Sequence, residues 1–281
     1  MQTDSSTAKP PVEHFEAIIV GGGMVGTALC ALLAQAGMKV ALVEARPTPI
    51  GLDKATGPLP APRVSALTPV SQRLLAHVGA WPAMQETRVT PYRGMQVWDA
   101  EGSGEIAFSA DEAGVAVLGH IVENTVTLAA LNRQVLDHPN VTTFFGASPQ
   151  ALQRANSHAA NGNRANGDWL ILIVAADGAH SVLREMAGIE VASDDMQQHA
   201  VVTTVQCAKP HGGTARQAFI DGRPLAFLPL TVEGNEHYCS IVWSTTPEHA
   251  DELSALSRGA LGEALGEAFG HRLGGVTACD K

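Results

Sequence analysis

The strongest constraint on this chain sits near its start. Ala17-Ile18-Ile19-Val20 is a short, β-branched run suited to a buried parallel strand, and Gly21-Gly22-Gly23-Met24-Val25-Gly26 follows at once. Thr27 to Gly37 then carries Leu29, Leu32 and Leu33 at helical spacing, and Lys39 to Val43 makes a second apolar strand that ends on Glu44. Strand, GxGxxG, helix, strand and an acid about 20 residues on form the complete dinucleotide-binding pattern, which predicts an α/β fold with a Rossmann-like unit.

Each part of the pattern has a physical task. Gly21 permits the tight turn, Gly23 lets the backbone approach a pyrophosphate, and Gly26 lets helix and strand pack closely. The helix N-terminus offers unpaired N–H groups and the positive end of a dipole to phosphates. Glu44 can accept hydrogen bonds from an adenosine ribose and would repel a 2′-phosphate, which argues against NADP in this site. The motif alone does not separate FAD from NAD.

Several function classes are excluded early. With 18 Lys+Arg against 28 Asp+Glu the net charge is −10, and no basic surface for nucleic acid is evident. Cys30, Cys207, Cys239 and Cys279 are far apart in sequence, with no CxxC pair, so no metal site is expected and the thiols read as reduced and mostly buried. Residues 1–13 lack the apolar run of a signal peptide and read as a disordered lead-in. Ala17 to Val43 is apolar enough to mimic a membrane span, but its five glycines break it into strand, turn, helix and strand.

Further signals follow the first. Pro62-Arg63-Val64-Ser65-Ala66-Leu67-Thr68 precedes a helix-like segment at Pro69 to Gly79, after a Gly/Pro-rich stretch. Arg63 reads equally well as a group reaching phosphate or flavin oxygens and as a surface arginine before a helix. Gly119 to Asn124 leads into a helix with Leu128, Leu131 and Val135, and Val141 to Phe145 is the next strand. His120 fits a base or, more simply, a structural histidine. A long apolar strand, Trp169 to Ala176, ends at Asp177-Gly178, where open α/β sheets bind ligands; capping of the following helix is the alternative for Asp177. No Ser/His/Asp spacing or paired carboxylates support a hydrolase.

The remaining strands (Met95–Asp99, Gly104–Phe108, Ala200–Gln206, Arg216–Ile220, Leu225–Leu230 and Tyr238–Trp243) are separated by Gly, Pro and Asp turns. They predict an interleaved second domain on an antiparallel or mixed sheet, covered by a single helix from Ala250 to Phe269 that Gly259, Gly262 and Gly266 weaken. The expected division is 14–84 with 114–190 for the nucleotide, and 85–113 with 191–281 for a substrate.

Taken together, IIVGGGMVGTAL, RVSALTP, YRGMQVWDAEGSGEIAF, LGHIVENTV, AADGAHSVLREMAGI, GTARQAFIDGRPLAFLPL and CSIVWSTTPEHA resemble the FAD-dependent aromatic-ring monooxygenases of the p-hydroxybenzoate hydroxylase fold. The likeness is strongest to the ubiquinone-biosynthesis hydroxylases, of the 2-octaprenylphenol hydroxylase type, from about Phe15 to Gly274. It implies bound FAD, NAD(P)H as transient co-substrate, and O2 added at the flavin C4a carbon as a hydroperoxide that hydroxylates a prenylated phenol. Gly21, Gly23, Met24, Val25, Gly26, Glu44 and Arg46 would hold the ADP portion. Arg63 and Ser65 would face the flavin, Asn124 the ribityl chain where many relatives have Arg or Gln, and Asp177 and Gly178 both FAD and NAD(P)H. Phe227, Leu228 and Pro229 would wall the aromatic pocket. No residue is assigned as catalytic, because the flavin does the chemistry.

Two departures stand out. Relatives usually place a β-hairpin between a Trp-bearing strand and the Asp-Gly strand, but Trp169 runs into Ile171 to Val174 with no turn residues, as if roughly ten residues were missing; no later Gly-Asp motif occurs, so the chain reads as C-terminally incomplete. The resemblance also implies a cytoplasmic protein, peripheral to the inner membrane through its substrate or through other ubiquinone-biosynthesis proteins. Two other readings stay open: an FAD-dependent dehydrogenase or oxidase without oxygen insertion, and an inactive form serving as a scaffold subunit.

Overall fold

The computed structural model describes residues 13–153 and 171–279. The expected lead-in therefore lies, but for Glu13, outside the described residues, as does the Trp169 end of the long apolar strand.

In chain order the elements are β1 (Ala17–Val20), α1 (Met24–Gln35), β2 (Val40–Glu44), β3 (Val64–Leu67), α2 (Pro69–His77) and α3 (Trp81–Thr87). Then come β4 (Thr90–Tyr92), β5 (Gly94–Asp99), β6 (Glu105–Ser109), β7 (Gly119–Glu123), α4 (Asn124–Leu136) and β8 (Val141–Phe145). β9 (Leu172–Ala175), α5 (Val182–Met186), β10 (His199–Cys207), β11 (Thr214–Ile220), β12 (Arg223–Val232) and β13 (Asn235–Thr245) follow. Last are α6 (Pro247–Ala255), α7 (Arg258–Ala268) and β14 (Val276–Ala278).

Packing divides the chain into two compact units, Met1–Pro47 with Leu136–Ile189 and Thr48–Val135 with Glu190–Lys281. These bounds differ from the expected ones: 48–84 and 114–135 pack in the second unit. The physical reason is hydrogen bonding, since β7 takes β3 on one side and β4 on the other.

In the first unit the described strands form a sheet in the order β8-β2-β1-β9, with every pairing parallel. Parallel neighbours need a crossover, which α1 supplies between β1 and β2. It packs on them through Cys30, Ala31 and Ala34, all at most 1% exposed. Burial pushes the Cys30 thiol up to about 12, so it is a packing residue and not a reactive one. The helix begins at Met24, three residues before the expected Thr27, with Gly23 as its N-cap.

The second unit holds the larger sheet, ordered β14-β10-β13-β12-β11-β5-β6 and antiparallel except for β11 beside β5. One face carries a core of Trp98, Leu225, Phe227, Ile241, Leu265 and Phe269. Phe227 and Phe269 stack with centroids 3.6 Å apart. Each such ring contributes roughly 1.5–3 kcal/mol by leaving water.

The single covering helix expected over Ala250–Phe269 is instead two. Leu256 turns extended, at φ −65° and ψ 153°, and Ser257 starts α7 by accepting the Ala260 N–H at its hydroxyl. Gly262, expected to weaken the helix, is a packing requirement: a side chain there would strike the Val276 carbonyl of β14.

Candidate functional site

In the first unit the expected residues converge at the carboxyl ends of β1, β2 and β9. A cavity of about 380 Å³ opens there, lined by Gly21, Gly23, Glu44, Arg46, Asp177 and Gly178 among others. The glycines explain its shape. Gly21 has φ +107°, and a Cβ on it would overlap the Ala176 carbonyl, so the turn between β1 and α1 closes on β9 only because no side chain is present. A Cβ on Gly26 would overlap the Gly21 carbonyl, the close helix–strand approach expected. Gly23 differs: a Cβ there meets nothing within 4 Å and would project into open space.

Gly23 caps α1 without a side-chain hydrogen bond, so the N–H groups of Met24, Val25 and Gly26 have no capping partner among the described residues. Bare N–H donors, a positive dipole end and an open glycine face make a fitting cradle for a dinucleotide pyrophosphate. Val25 is 78% exposed and, like Met24, offers its backbone only.

Glu44 is held rigidly beside this cradle. Its Oε2 accepts the Gly22 N–H at 2.5 Å, and its Oε1 accepts both the Arg46 N–H and Arg46 Nε at 2.9 Å. Burial works to raise its pKa, but the Arg46 side chain and the Arg46 and Gly22 N–H groups outweigh that and hold the carboxyl below its usual value. A carboxylate kept charged here suits ribose hydroxyls.

Asp177 both lines the cavity and caps a helix. Its Oδ1 accepts the Ser181 hydroxyl at 2.6 Å, and its Oδ2 accepts the N–H groups of Val182 at 2.7 Å and Leu183 at 3.3 Å. Partial burial is again outweighed by these donors, led by Ser181, and its pKa is lowered. Capping, the alternative raised by the sequence, is thus present, and Gly178 at φ +90° turns the chain beside it. His180 and the 147–149 stretch after β8 also line the cavity; sequence reasoning missed them, although a strand end beside β2 was a signal.

In the second unit Arg63, Ser65 and Asn124 are gathered by the pairing of β3 with β7, in which Val64 lies opposite Glu123. The Asn124 N–H donates to the Arg63 carbonyl at 3.1 Å, and the Ser65 hydroxyl lies 2.6 Å from Asn124 Oδ1, leaving the amide NH2 to donate elsewhere. The Arg63 guanidinium is exposed and has no partner among the described residues. His120 packs edge-on to Trp81 at 4.9 Å, and burial lowers its pKa, a neutral structural role.

The pocket wall needs correction. β12 alternates, so Phe227 turns into the helix-covered core while the partly buried Leu228 takes the other face, paired with Ser240, and Pro229 is buried. Phe227 is 1% exposed against Phe269 and cannot line a pocket. Among the described residues no cluster of His, Cys, Asp or Glu could hold a metal, and no helix is long and apolar enough to cross a membrane.

Residues 14–276 match the family described as FAD binding domain. The 3-demethoxyubiquinol 3-hydroxylase of Escherichia coli (strain K12) is 36% identical over 266 residues, which are 93% of this chain and 65% of that protein. The ubiquinone biosynthesis monooxygenase COQ6, mitochondrial, of Danio rerio is 33% identical over 287 residues, 95% of this chain and 56% of that one. The chain thus spans less than two thirds of the length of these relatives. Among solved structures, Pseudomonas aeruginosa PqsL with 2-aminobenzoylacetate superposes with a TM-score of 0.69 at 20% identity, covering 95% of this chain and 74% of that one. The flavin-dependent monooxygenase PieE with FAD and substrate gives 0.66 at 16% identity, covering 96% and 49%. These two likenesses establish the fold.

Proposed function

The chain belongs to the family of FAD-binding domains, and on that premise we propose that it serves an FAD-dependent monooxygenase hydroxylating a prenylated phenol in ubiquinone biosynthesis, with NAD(P)H as reductant and O2 as oxygen source. The observation that carries the proposal is the cradle at α1, where an open Gly23 face and bare N–H donors adjoin two carboxylates in one cavity. The names of the curated relatives support the substrate class.

In this reading the backbone at Gly21 to Gly26 binds the pyrophosphate, and Glu44, steadied by Arg46, takes the ribose hydroxyls. Asp177 and Gly178 would serve FAD and NAD(P)H; in the second unit, taken by itself, Arg63 and Ser65 are proposed as flavin contacts and Asn124 as a ribityl contact. Bound FAD supplies the redox and oxygen chemistry that no side chain here can supply. The chain binds and orients, and its apolar surfaces keep water from the reacting ring. Residues 14–84 with 114–190 would serve the cofactor, and 85–113 with 191–281 the substrate, with Leu228 retained as a pocket residue.

A polyprenyl substrate would bring the protein to the inner membrane surface, directly or through partner proteins of the pathway; co-flotation with liposomes tests this. The central test is a spectrum of the purified chain with and without added FAD, followed by NAD(P)H oxidation with a prenylated phenol under labelled O2. Flavin uptake and label in the ring are expected. Turnover without label would convert the reading to a dehydrogenase or oxidase. A chain that never takes up FAD would point to the scaffold alternative.

A further inference from the structure

The connection between β10 and β11 turns at Gly212 and Gly213, both in the left-handed region, at φ +58° and +60°. Adjacent glycines give a turn its shape but no stiffness, because they lose the most conformational freedom on folding. The His211 ring holds this turn in place. It lies within the second unit and is 1% exposed. The Gly213 N–H donates to its Nδ1 at 3.0 Å, and its Nε2 is 3.2 Å from the Leu230 carbonyl of β12. The backbone of His211 is tied as well. Its N–H donates to the Glu236 carbonyl at 2.9 Å, and its carbonyl accepts Arg216 Nη1 at 2.9 Å.

These partners allow the ring one protonation state. An N–H only donates and a carbonyl only accepts, so Nδ1 is bare and Nε2 carries the single proton. A second proton would fall on Nδ1 and set two N–H groups against each other 3.0 Å apart. Burial is the largest influence on the ring and holds its pKa down; the Leu230 carbonyl and the Glu236 carboxylate work the other way, and Arg216 and His237 side with burial. Glu236 and His237 stand on β13 and Arg216 on β11, while β12 presents the neutral Leu230 carbonyl. Lys209, two residues earlier in the connection, is exposed.

The turn also anchors a strand from a distant part of the chain. The Gly213 carbonyl accepts the N–H groups of Arg93 at 2.8 Å and Gly94 at 3.3 Å, where β5 begins its parallel run beside β11. We propose that His211 is an acid-sensitive latch: neutral, it pins the Gly212–Gly213 turn and through it the start of β5; protonated, it releases the Gly213 N–H and the turn opens while the rest of the sheet stays folded. The latch is independent of the cofactor reading above. Its contribution to stability is complete above the unfolded histidine value of roughly 6.5 and is lost as pH falls below that value and on through the lowered folded-state one.

Nitrogen NMR of the imidazoles and amide hydrogen exchange, both on the full chain between about pH 8 and about pH 5, test the latch. At the upper end His211 is neutral with its proton on Nε2. As the ring titrates, exchange protection at the Gly213, Arg93 and Gly94 amides, each referred to its intrinsic rate, falls about tenfold, while the β12–β13 ladder keeps its protection. His211→Gln offers one donor and one acceptor but does not titrate, so it removes this pH dependence; His237→Gln leaves it in place. Where the Gln variant at 211 does not fold, the wild-type titration and exchange decide by themselves. A proton on Nδ1, a ring that stays neutral throughout, or protection that is constant while the ring titrates overturns the latch. So does a response that persists in His211→Gln or disappears in His237→Gln, or a loss of protection shared by the whole sheet.

Discussion

Arg46 and Glu44, two residues apart at the exit of β2, form a clasp around the Gly22 peptide. Arg46 Nε donates to Glu44 Oε1 at 2.9 Å and its Nη2 to the Gly22 carbonyl at 2.7 Å, while the Gly22 N–H donates to Glu44 Oε2 at 2.5 Å. The carboxylate side chain is 10% exposed and the arginine 40%, so the pair lies at the cavity wall with the acid inside. A carboxylate has about four acceptor sites, and the clasp leaves Oε2 room for a ribose hydroxyl.

The clasp has a pH consequence. Glu44 and Asp177 both have lowered folded-state pKa values, so each contributes stability that is complete above the unfolded value of roughly 4 and is lost as pH falls through the folded one. The melting temperature therefore drops as pH falls below the unfolded value and on through the lowered folded-state values. Glu44→Gln and Asp177→Asn each flatten that drop when melts are repeated across the range, whereas slopes equal to wild type would remove the assignment.

The three key glycines separate folding from binding. Gly21→Ala places a Cβ into the Ala176 carbonyl at φ +107° and costs about 3 kcal/mol or more. Gly23→Ala meets nothing and changes stability by less than about 0.5 kcal/mol, yet its methyl fills the approach to the cradle and abolishes tight FAD binding. Calorimetry and flavin titration on both variants check the contrast.

On β12 neighbouring residues part company. Phe227→Ala removes the ring stacked on Phe269 and costs about 3–5 kcal/mol. Leu228→Ala, on the opposite face and only partly buried, costs less than half of that and raises KM for the phenol with little change in FAD affinity. Chemical denaturation and steady-state kinetics distinguish the two.

Ser257 is a smaller test of the helix break. Ser257→Ala loses the cap on α7 and destabilises by about 1 kcal/mol. A stability equal to wild type would mean that packing against β14 alone sets where α7 begins.

Much of the first unit is readable in one dimension because its constraints are local. The run from Ala17 to Glu44 specifies strand, turn, helix and strand in adjacent residues, and the glycine positions follow from sterics within that turn. The parity of β12 was equally local, since alternation along Leu225 to Leu230 already separates Phe227 from Leu228. Which parity faces the helices was not, because that depends on where α6 and α7 pack.

The sequence by itself therefore determined the nucleotide cradle, the cofactor class and the strands β5, β6 and β10 to β13 of the larger sheet, whereas β3, β4 and β14 were not read from it. Tertiary structure alone decided that Phe227 belongs to the core, that 48–84 packs with the larger sheet, and that Thr204 and Ser240 reach across 144 and 178 residues to hold Pro60 and Pro62. The reason is range: a turn or helix start is settled by neighbours within a few residues, while a hydroxyl finds a distant carbonyl only once the sheet has brought them together.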